Sequence, residues 1–130
     1  MEFKYNQDWE LRDSMLNDVY GDKKGDYDIF RFDGVTAETL QKLVDLKFAD
    51  PYERQNESPT IAEFLDFLNG NPDFTAHGYA VNVQRDDYRV SIEGVRGNSH
   101  DAQQILRFIQ MFRMADEFEI ENGYQYAWFD

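Results

Sequence analysis

Asp116-Glu117-Phe118-Glu119-Ile120-Glu121-Asn122-Gly123-Tyr124-Gln125-Tyr126-Ala127-Trp128-Phe129-Asp130 is the stretch that decides the fold. Asn-Gly between two alternating runs predicts a β-hairpin, because both central residues of a type I′ turn need positive φ. Closing the ribbon there pairs Glu121 with Tyr124, Glu119 with Tyr126 and Glu117 with Trp128 on one face. The opposite face carries Phe118, Ile120, Ala127 and Phe129 and is apolar enough to be core. The first face interleaves carboxylates with aromatic rings and contains no cation.

Working back along the chain, Asn98-Ser99 is expected to cap the longest helix, about 101–114. Ala102, Ile105, Leu106, Phe108, Ile109, Met111 and Phe112 form its wide apolar stripe. Before it, Tyr79 to Gln84 and Tyr88 to Val95 predict a second hairpin. Opposing Val81 to Ile92 and Val83 to Val90 keeps its apolar residues together, with Ala80, Asn82, Gln84, Arg89, Ser91 and Glu93 on a wet face.

Thr60-Ile61-Ala62-Glu63 has the capping-box form and opens a helix with Ile61, Phe64, Leu65 and Leu68 inward, ended by Asn69-Gly70-Asn71-Pro72. Thr36 caps another, with Leu40, Leu43, Val44 and Phe48 at helical spacing. Asp50 to Ser58 is a polar loop. Tyr27 to Asp33 alternates as a strand, and a first helix spans roughly 9–20, stopped by Gly21. The order is α-β-α-α-β-β-α-β-β. Hairpins with one apolar and one polar face predict a two-layer α+β domain over residues 1–130, an antiparallel sheet of about five strands with helices on one face.

Apolar residues make up 42% of the chain, with 11 Phe, 8 Tyr and 2 Trp, which supports a real core and argues against disorder. Thirteen basic residues face 26 acidic ones, net −13. Phosphate contacts need a concentrated basic patch, so nucleic acid is disfavoured as a partner, as is an anionic membrane surface. After Arg113 the chain carries Asp116, Glu117, Glu119, Glu121 and Asp130 without a Lys or Arg, so the acidic pole is C-terminal. No cysteine is present, which excludes disulfides and thiolate chemistry. The N-terminal residues lack a signal-peptide pattern and no apolar run is long enough to span a membrane. A cytoplasmic address is the expectation.

Catalytic and metal-binding patterns are weak. Ser99-His100-Asp101 holds the three triad residue types, but neighbours along a helix start do not face one another. Ser99 as N-cap, with Asp101 at the positive helix end, accounts for the string. Asp22, Asp26 and Asp28 cluster near Gly25, yet Lys23 and Lys24 stand where calcium ligands would be needed. Asp86-Asp87 sits at a hairpin tip. A zinc site would require His77, His100 and a carboxylate to converge. No metal or cofactor is expected.

The Glu/Tyr/Trp face is the remaining candidate. A solvated sheet face would use the same residue types, since Tyr and Trp are good strand formers and Glu keeps an edge soluble. As a working surface, it predicts a non-enzymatic acidic interaction protein. Glu117, Glu119 and Glu121 would steer in a basic protein surface, and Tyr124, Tyr126 and Trp128 would be buried by it. Inhibitors, immunity proteins and nucleic-acid mimics exploit this physics. Two other classes compete: a structural homo-oligomer using the same face or the hairpin edge, and a small ligand-binding or hydrolytic domain. The last would have a pocket between sheet and helices with His77, His100 or Tyr79 at its mouth.

Overall fold

Four helix starts are set by side chains that accept from otherwise orphaned amides. In the computed structural model, which describes residues 2–21 and 28–130, Asp8 caps α1 (Trp9–Leu16) and Thr36 caps α2 (Ala37–Asp45). Thr60 caps α3 (Ile61–Gly70), where the Glu63 carboxylate returns a bond to the Thr60 amide and completes the expected capping box. Asp101 caps α4 (Ala102–Phe112), its carboxylate accepting from the Gln103 and Gln104 amides. That corrects the assignment of Ser99, which sits two residues earlier and accepts from the Asp101 amide.

The strands are β1 (Ile29–Val35), β2 (Phe74–Val81), β3 (Val90–Gly97), β4 (Glu117–Glu121) and β5 (Tyr124–Trp128). They form one antiparallel sheet in the order β1-β2-β3-β5-β4, so the expected α-β-α-α-β-β-α-β-β chain folds as an α+β structure. After α4 the chain runs out to the sheet edge as β4, and β5 returns to fill the place beside β3. α1 ends at Leu16, short of the expected residue 20. The chain then lies along β1, with Tyr20 bridging to Phe32 and Gly21 donating to the Arg31 carbonyl. Tyr27, the expected start of β1, lies outside the described residues, as do Asp22 and Asp26 of the candidate calcium loop.

The core lies between the sheet and the helices. Phe32, Val35, Ala76, Ala80, Val90, Ile92, Val95, Ala127 and Phe129 meet Leu40, Leu43, Phe64, Leu68, Phe108 and Phe112. Phe64 stacks on Phe112 at 5.6 Å and Phe74 on Phe108 at 5.5 Å. Each such buried ring contributes on the order of 2–3 kcal/mol by leaving water. The α4 stripe is narrower than expected: Phe108 and Phe112 reach the core, while Leu106 is exposed.

The β2–β3 register also differs from expectation. Ala80 faces Val90 and Gly78 faces Ile92, with an irregularity beside His77, and Val83 falls outside the strand. Alternation misled because both central strands are buried on both sides. Ala80 belongs to the core rather than the wet face, and Ser91 and Glu93 are buried on the outer side. With His77, Tyr79 and Val81 covered too, apolarity does not distinguish the two faces of β2.

Candidate functional site

The terminal hairpin closes about Asn122 (φ 25°) and Gly123 (φ 82°), both positive as a type I′ turn requires. Its pairs are Glu121 with Tyr124, Glu119 with Tyr126 and Glu117 with Trp128, in the expected register. A methyl group on Gly123 would lie 2.4 Å from the His100 ring, so His100 packs against the turn. Gln125 reaches back to donate to the Ser99 carbonyl at 3.0 Å and ties the same segment to β5. Ser99, His100 and Asp101 therefore serve the hairpin and the helix start, and form no triad.

Glu117, Glu119 and Glu121 are exposed, and Tyr124, Tyr126 and Trp128 are half-buried. All six sit on the side of the sheet away from the core. On the inward side Ala127 and Phe129 are buried, whereas Phe118 and Ile120 remain 38% and 40% exposed. β4 is the edge strand, and its apolar pair is only partly covered, Phe118 stacking on Phe108 at 5.2 Å.

The outer face extends beyond this hairpin through residues that alternation in one strand does not reveal. Arg31 on β1 and Arg96 on β3 bind carboxylates across the sheet. Arg31 Nη1 lies 2.6 Å from Glu93 Oε1, and Arg96 Nε 2.9 Å from Asp33 Oδ1. Arg89 donates to the Tyr79 hydroxyl at 2.8 Å and stands 3.7 Å from Glu53 Oε1. Glu53 comes from the Asp50–Ser58 loop and accepts from the Ser91 hydroxyl at 2.9 Å. Burial pushes its carboxyl above the ordinary range. At the β2–β3 turn, Asp87 is clamped by Arg85 and Arg89.

The result is a division of the face into two halves. Around β1–β3 the arginines Arg31, Arg89 and Arg96 each neutralise a carboxylate. Along β4, Glu117, Glu119 and Glu121 meet no cation among the described residues. Between the halves His77 stacks on Tyr126, ring centroids 5.3 Å apart. Burial lowers the His77 pKa, with the Asp33 carboxylate opposing. Burial and then the nearby Glu117 raise that of Tyr126, which keeps the phenol neutral.

A groove of about 320 Å³ runs between Arg31, Asp33, His77, Glu93, Tyr126 and Trp128. It is open to solvent, and its two carboxylates are already committed to Arg31 and Arg96. Of the residues expected at the mouth of a pocket between sheet and helices, His77 and Tyr79 lie on the outer face and His100 lies at the hairpin turn. Among the described residues no three His, Asp or Glu side chains gather as metal ligands, and no helix is long and apolar enough to cross a membrane.

The cross-strand ion pairs escaped sequence reasoning because their partners are 62 and 63 residues apart. The spacing of Arg31 and Asp33, two residues apart on one strand, was the available signal that both face the same way. No family model, curated protein or solved structure gives a significant match to this chain.

Proposed function

We propose that this protein binds a basic protein partner through the β4–β5 half of its outer sheet face. The observation that carries this reading is the asymmetry of the face: among the described residues Glu117, Glu119 and Glu121 meet no cation, while Glu93, Glu53 and Asp33 each hold an arginine. Three exposed carboxylates, spaced two residues apart on a strand, raise the local negative potential and draw in Lys or Arg groups. Tyr124, Tyr126 and Trp128 stand directly across from them and offer large, rigid area that a docked partner can desolvate. The net charge of −13 adds long-range attraction for a basic surface and repels nucleic-acid phosphates.

Affinity capture from the native cell tests this, using the wild-type chain beside a Glu119→Lys/Trp128→Ala double variant. The wild type is expected to retain a basic protein that high salt releases, and the folded double variant to lose it. Equal retention by both removes the reading.

A further inference from the structure

β4 is an edge strand whose outer side pairs with no other strand among the described residues. In a two-residue hairpin the pairs flanking the turn exchange hydrogen bonds, which here assigns Glu121, Glu119 and Glu117 to the ladder with β5. The N–H and C=O groups of Phe118 and Ile120 then point away from β5, into the free edge. The same two side chains are the incompletely covered apolar residues of the inward face. Natural sheets commonly protect an edge with Lys, Pro, a bulge or a covering element. This edge carries carboxylates on one side and half-exposed apolar groups on the other.

We propose that the free edge of β4 accepts an extended basic segment as a sixth strand, one alternating Lys or Arg with apolar residues. This rests on the reading that the acidic face takes a basic partner, and it names the geometry of docking. The cations would stand opposite Glu117, Glu119 and Glu121, and the apolar residues would extend the cover over Phe118 and Ile120. A second copy of this chain fits poorly. Antiparallel pairing of β4 with itself about Glu119 sets Glu119 against its counterpart and Glu117 against Glu121, and like charges directly opposite destabilise a sheet.

The test uses a synthetic peptide alternating Lys with Val, titrated into the full chain at low salt and followed by calorimetry. Two further peptides carry backbone N-methyl groups on one or the other alternate set of residues. Methylation of the set that faces β4 is expected to weaken binding about tenfold or more, and methylation of the outward set to leave it nearly unchanged. Ile120→Pro removes an outward N–H at an edge position that tolerates proline, and is expected to weaken the parent peptide similarly with the circular dichroism spectrum retained. If all three peptides bind alike and Ile120→Pro binds as well as the wild type, strand addition is overturned while capture by charge stands. If the parent peptide does not bind even at low salt, both ideas fall.

Discussion

His77 lies flat against Tyr126, the ring planes 12° apart, and this contact bridges β2 and β5 across the glycine at position 94 of β3. It is the seam between the ion-paired half of the outer face and the acidic half, where no ion pair forms among the described residues. The geometry around it fixes where Tyr126 and Trp128 are displayed.

Gly94 is required for that seam. A methyl group there would lie 1.9 Å from the Ala127 carbonyl oxygen and 2.7 Å from His77 Cε1. The first obstacle is backbone, so no rotamer change relieves it. Gly94→Ala is expected to destabilise the fold by about 3 kcal/mol or more. Urea unfolding measures this, and a midpoint equal to wild type would contradict the packing described.

His77 should make stability depend on pH in a defined direction. Its folded pKa is lowered by burial; Asp33 from β1 opposes the shift, and Arg96 from β3 adds to it. The unfolded chain therefore binds the proton more readily. The contribution is present above the ordinary value of about 6.5 and is lost as pH falls through the lowered folded value. His77→Phe keeps a ring against Tyr126 without the titration. Between about pH 7.5 and about pH 5.5 its unfolding free energy should fall less than that of wild type. A parallel decline in both proteins would remove His77 as the source.

Arg12 is a buried cation, 1% exposed, that fastens α1 to the sheet. Its Nη1 donates to the Val81 carbonyl at 2.7 Å, its Nε to Asp13 at 3.0 Å, and its guanidinium lies over the Tyr88 ring at 5.0 Å. Arg12→Ala leaves a cavity, strips the buried Val81 carbonyl of its donor and takes from Asp13 its cation, though the Tyr20 hydroxyl still donates to that carboxylate at 2.6 Å. A loss of about 3–5 kcal/mol is expected by denaturant unfolding. A loss below about 1 kcal/mol would mean that water or a neighbour replaces the guanidinium.

Some local signals carry the structure directly. The Asn122-Gly123 turn set the register of β4 and β5, because a two-residue loop leaves one pairing open and a slip would invert both faces. Thr36 and Thr60 marked helix starts because a cap acts within three residues. The β2–β3 register was not legible. Tyr79 and His77 are buried on one side of β2 and Ala76 and Ala80 on the other, so the usual contrast between faces is lost. Nor did the sequence reveal that Phe118 and Ile120 would be half-exposed, since that follows from β4 lying at the edge. Of the outer face, the six hairpin residues were legible; the Arg31–Glu93 and Arg96–Asp33 pairs depend on strand order.

Amide chemical-shift mapping of the labelled protein with its captured basic partner tests the central claim most directly. The account predicts shifts concentrated between residues 117 and 128, strongest at Glu119, Tyr126 and Trp128, and diminishing as salt is raised. Shifts gathered instead around the hollow of about 800 Å³ between α3 and α4, at Phe67, Asn71, Arg107 and Met111, with residues 117–128 silent, would contradict it.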